Sequence, residues 1–494
     1  IKEALHKFNK MTDLSINQNK SSMLVSGISN EQAAFLHLQS GFASMENDMK
    51  YLGLPLITKR ITKNDCYPLY HKITSIMTAW DNRKLTQSGR LVLIKSVVFS
   101  SIVYWARTII LPIKLLHLLR SAMSRFFWTG SIHNRKIVPC AFSKFEVPFK
   151  SGGLGILDIR KWNIAAISKQ FDAIINKRDS LWVEWTWHHN IKNKDFWVME
   201  IPQLSSWTWR SILKYREVFL PFIQYSVNAS SKVKFWNEPW GRQGLILSKL
   251  FSFSQIVQTG ISLSADANSY LLNGNIQLPT TSNQEIQHTW DIIQQTNFTA
   301  IQSNSIKWNG KPHSVMGVYN SLTESDPLPA ALWHEVIWST DTVPQYNLMM
   351  WKVINNALLT RSMLQKVGMI CPMQCLFCEI EEETTDHIFF ECPALHNLLF
   401  HLGGKTGTYL TGHTSIIQWN IILKATKWRT VESRVLTVCL KVFVAVIWRE
   451  RNLRVFENVR RNDMVLWTDM KCSIHKQLKH CASSIPLSML HAWA

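Results

Sequence analysis

Four potential metal ligands lie within one short stretch of this sequence. Cys375, Cys378, His387 and Cys392 have the spacing C-x2-C-x8-H-x4-C. Zinc prefers four tetrahedral nitrogen and sulfur ligands, and a C-x2-C turn presents two thiolates along one edge of the ion. Because four protein ligands leave no position for a reacting water, the spacing predicts a structural zinc ion and not a hydrolytic one. The alternative interpretation is a set of buried free cysteines beside an unrelated histidine.

The remaining cysteines form no second pattern of comparable strength. The chain has nine cysteines, an odd number, and its first residues lack the apolar stretch of a signal peptide, which argues against a disulfide framework. Cys472, His475, His480 and Cys481 include metal-binding residue types, but they fall in a segment with the pattern of a basic helix. We therefore predict that these four are ordinary helix residues.

The charge of the chain is strongly positive and unevenly distributed. There are 54 Lys and Arg against 34 Asp and Glu, a formal net charge of +20. An excess of this size indicates a polyanionic partner, most simply nucleic acid, with a membrane surface as the alternative. Residues 61–150, here named the basic block, carry 14 Lys and Arg and three acidic residues, a net charge of +11. Residues 319–400, the acidic segment, carry three Lys and Arg and ten acidic residues, a net charge of −7.

The basic block is therefore the predicted contact surface for nucleic acid, because phosphate binding depends on Lys and Arg. Eight of its cations are the candidate nucleic-acid-binding residues: Arg83, Lys84, Arg90, Lys95, Arg120, Arg125, Arg135 and Lys136. Five further arginines at 449, 451, 454, 460 and 461, here named the arginine group, follow an apolar helix. They are interpreted as a solvated helix face, with phosphate contact as the alternative.

Transmembrane helices are not expected. A membrane span needs about 20 apolar residues with few charges. The most apolar stretch near the C-terminus, Val435–Trp448, has 14 residues and includes Lys441, and the stretch at Ser96–Ala106 is shorter. We therefore expect no membrane partner.

Helical spacing of apolar residues dominates the sequence. It occurs at Leu85–Leu111, at Lys114–Trp128 and within residues 415–480. Short strands are expected at Ser22–Ser26 and Met49–Ile57. The 22 tryptophans fall mostly at apolar helical positions, so core packing is favoured over base stacking. The expected fold class is mainly α with a small α+β region at the N-terminus, an irregular spacer and a small helical module stapled by zinc.

Common signatures of catalytic sites are missing. The sequence has no Asp-Asp dipeptide, Walker A motif, G-x-S-x-G, H-E-x-x-H or H-R-D. Nucleotidyl transfer needs closely set carboxylates that hold two metal ions, and the basic block has three acidic residues in total. We therefore expect no catalytic site in that block.

Seven segments resemble, in the same order, the reverse transcriptase of plant LINE-type (non-LTR) retrotransposons. They are Met49–Leu56 (MKYLGLPL), Trp80–Leu91, Phe127–Gly130 (FWTG), Gly152–Ile156 (GGLGI), Phe235–Trp240, Cys375–Cys392 and Trp448–Asn452 (WRERN). Cys375–Cys392, which ends in DHIFFEC, is similar to the zinc-binding domain of that family. In Phe235–Trp240 the sequence departs from the family pattern, with Glu238 where Asp is usual.

The resemblance implies an order of domains. Residues 1–60 would be the end of the palm, with a primer-grip-like hairpin, and residues 61–180 a basic helical thumb. A Trp-rich spacer at 181–318, a zinc-binding domain at 319–402 and C-terminal helices at 403–494 would follow. The catalytic aspartates of the family would precede this chain, so no RNA-directed DNA polymerase activity is expected from it alone. The implied partners are an RNA or DNA template-primer and the N-terminal polymerase part.

Two other functions stay open at this point. One is a free-standing nucleic-acid-binding protein stabilised by zinc, and the other is a helical scaffold protein whose charge is solubilising.

The charge around the metal ligands also bears on their role. Three thiolates and one imidazole around Zn²⁺ give a formal charge of −1, and no Lys or Arg lies between positions 367 and 400. Phosphate is repelled by such a surface. We therefore expect the zinc-binding module to dock on protein, with the basic block as the candidate and base stacking by Phe377 as the alternative.

Overall fold

The computed structural model describes most of the chain, and every structural statement below concerns the described residues. These are residues 2–17, 21–25, 27–44, 50–55, 60–81, 84–134, 137–225, 227, 232–239, 244–272, 275–294, 306–324, 331, 333–408, 430–480, 486 and 492–493. The chain divides into two compact units. The first comprises residues 1–69, 105–115 and 166–315, and the second comprises residues 70–104, 116–165 and 316–494.

The N-terminal residues form two helices and two small sheets. The elements are α1 (Lys2–Thr12), β1 (Ser22–Met23), α2 (Asn30–Ser40), β2 (Ala43–Ser44), β3 (Lys50–Tyr51) and β4 (Leu54–Pro55). Strands β1 and β2 pair in parallel, whereas β3 and β4 form an antiparallel hairpin. The two-residue turn of this hairpin has positive φ at both positions, 50° at Leu52 and 80° at Gly53, as a turn that matches the strand twist requires. Strands occur in both regions where they are predicted.

The basic block and the residues that follow it are helical, as predicted. The helices are α3 (Tyr67–Thr78), α4 (Gln87–Leu93), α5 (Phe99–Ala106), α6 (Ile113–Thr129), α7 (Ser143–Glu146) and α8 (Ile159–Ile175). Helix α4 begins after Thr86, whose hydroxyl accepts the Gly89 N–H at 3.2 Å, and a π turn at Ile94–Val98 joins it to α5. Helix α6 begins directly after Pro112, which is suited to a helix start.

The continuous helical stretch Gln87–Ala106 corrects one expectation from the sequence. It has 20 residues and, by length and composition alone, is long and apolar enough to cross a membrane. The apolar stretch begins before Ser96, because Leu91, Val92, Leu93 and Ile94 belong to the same helical stretch. A single helix of this kind is weak evidence for a membrane span, because core helices have the same composition. Ile94, Val98 and Ile102 are fully buried, and 39% of the apolar window is buried inside the protein.

Residues 181–324 consist of short elements. They are α9 (Leu181–Trp185), α10 (Trp207–Lys214), α11 (Arg216–Phe219), β5 (Ile223–Gln224), α12 (Phe253–Gln258), β6 (Leu271–Leu272), β7 (Asn275–Ile276), α13 (Gln284–Gln294), β8 (Lys307–Trp308) and α14 (Val315–Glu324). Phe235, Trp236 and Trp290 are each at most 1% exposed and form the centre of a hydrophobic core. The prediction that tryptophans serve core packing is confirmed at these positions.

The C-terminal third is again helical, which confirms the mainly α fold. Its helices are α15 (His334–Ile337), α16 (Pro344–Ile354), α17 (Arg361–Lys366), α18 (His396–Thr406), α19 (Val431–Phe456) and α20 (Asp463–His480). Helix α20 packs on α19, and its buried residues Leu466, Met470, Ile474 and Leu478 recur every four residues along one face.

Within the second unit, the acidic segment packs on the basic block. Lys352 Nζ donates to Gln87 Oε1 of the basic block at 2.6 Å, and Trp351 Nε1 donates at 2.8 Å to the carbonyl oxygen of Gly152, just after the block. Gly152 has a φ of 92°, and a Cβ there would lie 2.8 Å from the Trp333 ring, so only glycine fits this contact. The contacts named here come from residues 333–352. Docking of the cysteine cluster itself on the basic block stays a prediction.

Candidate metal centre

The first two cysteines lie in a tight turn. Cys375 N–H donates to the Glu381 carbonyl oxygen at 2.7 Å, and Gln374 and Glu382 form an antiparallel bridge beside it. Glu379 N–H donates back to the Cys375 carbonyl oxygen at 2.9 Å, and Glu379 itself has a φ of 60°. The chain therefore reverses direction immediately after the C-x2-C motif.

The other two ligands are brought together by a π turn. His387–Glu391 forms this turn, and Cys392 N–H donates to the His387 carbonyl oxygen at 2.7 Å. In an α-helix, side chains five positions apart point about 140° away from each other. The wider π turn brings such side chains to nearly the same side. His387 and Cys392 can therefore face the same point although five positions separate them.

The four side chains converge as the sequence spacing predicts. All four ligand atoms lie within 4.8 Å of one another. The Sγ atoms of Cys375 and Cys392 are 3.9 Å apart, and Cys378 Sγ lies 3.3 Å from His387 Nε2. Zinc–sulfur bonds of about 2.3 Å in a tetrahedron place sulfur atoms about 3.8 Å apart. The donor set and its spacing therefore fit a four-coordinate metal ion.

The pKa values of the buried Cys375 and Cys392 thiols also favour a bound cation. The hydrogen bond with Cys392 lowers the pKa of the Cys375 thiol to about 5, and the Phe377 N–H contributes in the same direction. That hydrogen bond and burial raise the pKa of Cys392 far above its usual range. One thiolate thus forms readily, whereas the second needs a nearby positive charge. A divalent ion at this point supplies that charge.

A buried ion pair supports the segment between the two turns. Glu383 is fully buried and Arg451, on α19, is 4% exposed. Arg451 donates to Glu383 Oε1 from Nη2 at 2.6 Å and from Nε at 3.2 Å. The same oxygen accepts the Arg361 N–H at 2.9 Å. Because an unpaired buried charge is costly, Arg451 and Glu383 each depend on the other.

A second arginine of α19 covers the cysteine turn. The Arg454 guanidinium lies 4.5 Å from the centre of the Phe377 ring and donates to the Leu376 carbonyl oxygen at 3.1 Å. Leu376 and Phe377 are the two residues between the first two cysteines. One face of the Phe377 ring is therefore occupied by a protein cation, which disfavours the alternative in which this ring stacks on a base.

All members of the arginine group form ion pairs. Arg451 pairs with Glu383, and Arg454 pairs with Glu450. The remaining pairs are Arg449 with Asp469, Arg460 with Glu379, and Arg461 with both Glu450 and Asp469. Arg449 and Arg460 are exposed, as a solvated face predicts, whereas Arg451, Arg454 and Arg461 are largely buried in internal ion pairs.

The predicted nucleic-acid-binding residues lie in different environments. Arg83, Arg135 and Lys136 lie outside the described residues. Lys84 is exposed and forms no ion pair with the part of the chain that is described. Arg125 is half-buried, and its Nε donates to a carbonyl oxygen of its own helix at 3.4 Å.

Arg90 and Lys95 are half-buried and engaged within the second unit. Arg90 Nη1 donates to the Phe127 carbonyl oxygen at 3.2 Å. Lys95 Nζ lies 4.2 Å from the centre of the Phe149 ring, and burial lowers the pKa of Lys95 to about 8. Both cations are thus only partly accessible to a phosphate.

Arg120 is held by two carboxylates. Its Nε lies 2.8 Å from Glu146 Oε1, and its Nη2 lies 3.1 Å from Asp158 Oδ1. Burial and the charge of Asp158 raise the pKa of Glu146 to about 7, against the opposing effect of Arg120. Arg120 therefore acts as a counter-ion inside the fold.

Cys472, His475 and His480 of the second group lie on helix α20, as predicted. Cys472 is exposed, and Cys481 lies outside the described residues. Among the described residues, the one cluster of three or more His, Cys, Asp or Glu that could hold a metal ion is that of Cys375, Cys378, His387 and Cys392.

Comparison with known families agrees with the geometry of this cluster. Residues 313–398 match the family described as zinc-binding in reverse transcriptase. All four predicted ligands of the reverse-transcriptase zinc-binding domain lie inside the matched range, which ends before α19 begins.

Two curated relatives from Arabidopsis thaliana extend the similarity beyond this domain. A protein named as a ribonuclease H protein is 24% identical over 355 residues, which cover 69% of this chain and 56% of the relative. An uncharacterized mitochondrial protein is 27% identical over 123 residues, which cover 25% of this chain and 80% of that relative. The chain thus spans about half the length of the first relative. The resemblance to plant reverse transcriptases is confirmed at the level of the zinc-binding domain and these relatives.

Proposed function

We propose that this chain is the post-catalytic part of a plant LINE-type reverse transcriptase. In this role it binds the RNA or DNA template-primer and carries a structural zinc ion, while an N-terminal polymerase part supplies catalysis. The observation that carries the proposal is the convergence of four metal ligands in a segment that matches reverse transcriptases. The helical basic block and the hairpin of β3 and β4 support the thumb and primer-grip assignments in form.

Zinc is the proposed ion of the metal centre. Three thiolates and one imidazole form a donor set typical of structural zinc, and soft thiolates disfavour magnesium or calcium. When bound, the ion cross-links the C-x2-C turn to the π turn. The protein residues hold the donors in place and bury Cys375, His387 and Cys392, whereas Cys378 is half-buried.

Exposed lysines of the basic block are the proposed phosphate contacts. Lys72 on α3, Lys84 before α4 and Lys144 on α7 are exposed, and none of them forms an ion pair in the described structure. They differ in this respect from Arg120, whose charge is neutralised by two carboxylates. The roles of Arg83, Arg135 and Lys136 stay predictions from the sequence.

The salt dependence of binding to an RNA–DNA primer-template tests this function. We expect the logarithm of the affinity to fall linearly with the logarithm of the salt concentration, by about 0.7–0.9 per phosphate contact. A chain that binds neither RNA nor DNA at low salt would instead support a helical scaffold protein.

The sequence upstream of this chain separates the proposal from a free-standing protein. An in-frame strand with Tyr or Phe followed by Ala-Asp-Asp would supply the carboxylates that two catalytic metal ions need. A start codon with its own promoter at that place would favour the free-standing nucleic-acid-binding protein.

A further inference from the structure

Helix α19 and the residues directly after it contact residues 375–392, here named the metal-binding loop, at several points. Arg451 pairs with Glu383, Arg454 binds the C-x2-C turn, and Arg460 pairs with Glu379 at 2.9 Å. These arginines lie beyond residue 398, where the match to the zinc-binding family ends. The metal-binding loop is thus held by a part of the chain outside the matched domain.

Arg454 acts on the turn that spaces the first two ligands. Its guanidinium donates to the Leu376 carbonyl oxygen at 3.1 Å and lies 4.5 Å from the centre of the Phe377 ring. The Phe377 N–H in turn donates to Cys375 Sγ at 3.4 Å. A shift of this turn would therefore move both a ligand and the N–H group that stabilises its thiolate.

Glu450 fixes the orientation of Arg454. Glu450 is fully buried, and its Oε1 accepts Arg454 Nε at 2.8 Å. Its Oε2 accepts Arg461 Nε at 2.7 Å, so neither oxygen is left without a donor. Because a guanidinium is planar, holding Nε on one carboxylate sets the direction in which the remaining N–H groups point.

We propose that Arg454 and Arg451 are positioning residues of the metal centre, and that α19 and residues 313–398 together form the metal-binding unit. This inference rests on the metal site proposed above. The coupling is reciprocal, because if docked α19 tightens metal binding, then bound metal stabilises docked α19 by the same factor.

Metal titration of the full chain tests the role of Arg454. The probe is Co²⁺, whose visible absorption reports its thiolate ligands, in competition with Zn²⁺. Arg454→Gln should weaken metal affinity about 10- to 100-fold, which is the usual loss when a residue that supports a metal ligand is removed. It should also shift the Co²⁺ absorption. Arg454→Lys keeps the charge but lacks the planar fork, so we expect it to restore only part of the affinity.

Arg449→Gln is the matched control for the metal titration. It removes an exposed arginine of the same helix whose ion-pair partner is Asp469, outside the metal-binding loop. Its metal affinity and Co²⁺ absorption should equal those of the wild type.

Hydrogen exchange tests whether bound metal stabilises α19. Amides of residues 446–456 in the wild-type chain should exchange more slowly with Zn²⁺ bound than after chelation. Equal exchange in both states would overturn the coupling.

The possible results distinguish this inference from the proposed function. A wild-type chain that binds neither Co²⁺ nor Zn²⁺ would overturn the metal site itself. A wild-type chain that binds metal, with unchanged affinity and absorption in Arg454→Gln, would overturn only the positioning role. If Arg454→Gln does not fold, Phe377→Leu removes the covered ring without a change in charge. That variant should lose about 2- to 30-fold in affinity, and no loss would overturn the role of the Arg454 contact.

Discussion

The basic block and the arginine group are both rich in cations, but the structure uses these cations differently. Every arginine of the arginine group forms an ion pair, and two of these pairs are with Glu383 and Glu379 of the acidic segment. In the basic block, Arg120 is neutralised in the same way, whereas Lys84 and Lys144 stay exposed and without an ion pair in the described structure. A local excess of positive charge therefore does not identify the cations that are available to a phosphate.

The cations in ion pairs and the exposed cations without an ion pair also differ in residue type. The ion pairs described above in the second unit are all made by arginines. Arginine presents a rigid planar fork that matches a carboxylate, whereas lysine is a compact, strongly hydrated charge on a flexible stem. Arginines therefore hold this fold together, and lysines are the better candidates for a surface that must meet a phosphate backbone in varying positions.

Loss of two metal ligands should have the largest effect on the fold. It unfolds the metal-binding loop, which contains two ion-pair partners of the arginine group. Cys378→Ser combined with Cys392→Ser should abolish metal binding and unfold residues 371–395, since structural zinc contributes about 10–16 kcal/mol to the folding of small zinc modules. Zinc content and hydrogen exchange of these residues measure the effect. Cys472→Ser, at an exposed cysteine, should keep one zinc ion per chain. A full zinc content in the double variant would contradict the assigned ligands.

Breaking the buried ion pair should have the next largest effect. Arg451→Met leaves Glu383 buried without its main partner, so we expect the free energy of unfolding to fall by about 3–5 kcal/mol. Adding Glu383→Leu should recover much of the loss. Denaturant unfolding with zinc present gives the values.

The matched change for the buried pair is Arg449→Met, which breaks an exposed pair and should cost about 0–1 kcal/mol. Equal costs for the two arginine variants would show that the buried and exposed members of the arginine group do not differ as described.

The contrast between free lysines and paired arginines can be tested at equal net charge. Lys84→Gln with Lys144→Gln should reduce the salt slope of primer-template binding by about 1.4–1.8, from about 0.7–0.9 per contact. Arg449→Gln with Arg460→Gln removes the same charge from paired residues and should leave the slope nearly unchanged. A larger change in the arginine variant would place the nucleic-acid surface at the arginine group.

The stability of the fold should also depend on pH through one buried lysine of the acidic segment. Burial lowers the pKa of Lys352 from its usual value of 10.5 to about 8. Between these pH values the unfolded chain holds a proton that the folded chain has released. Stability therefore rises with pH across this window, and the cost of the buried charge is fully present below pH 8.

Lys352→Met should accordingly raise stability at pH 7 and remove this part of the pH dependence. The measurement is the difference in Tm between variant and wild type at pH 7, 9 and 10.5. Lys84→Met serves as the exposed control. A difference that stays constant with pH would mean that Lys352 does not lose its proton in this window.

The metal ligands could be predicted from the sequence because their chemistry is local. All four lie within 18 residues, and the spacing of a C-x2-C motif directly reflects how two thiolates share one ion. The same holds for the amphipathic helices, whose apolar spacing records which face is buried.

The partners of the arginine group could not be predicted in this way. Arg451 and Glu383 are 68 positions apart, and helical periodicity does not reveal which element lies opposite a given side chain. The π turn at His387–Glu391 was also missed, because apolar spacing over five residues does not separate a π turn from an α-helix.

One buried cation did leave a signal in the sequence. Lys441 interrupts the apolar stretch Val435–Trp448, and such a lone charge needs polar partners when it is buried. In the structure Lys441 is fully buried and donates to Ser339 Oγ at 2.9 Å and to Asn347 Oδ1 at 2.7 Å. The sequence indicates that partners are needed, but only the fold shows which residues supply them.

The position of Arg454 far downstream of the cysteines sets an order of events during synthesis. Cys375–Cys392 leaves the ribosome before the arginine group has been translated. At about 5–20 residues per second, the 69 residues from Cys392 to Arg461 take about 3–14 s to add. During that interval Arg454 is not yet present to contact the C-x2-C turn of the nascent chain. The four metal ligands are therefore translated before the helix that later contacts their turn exists.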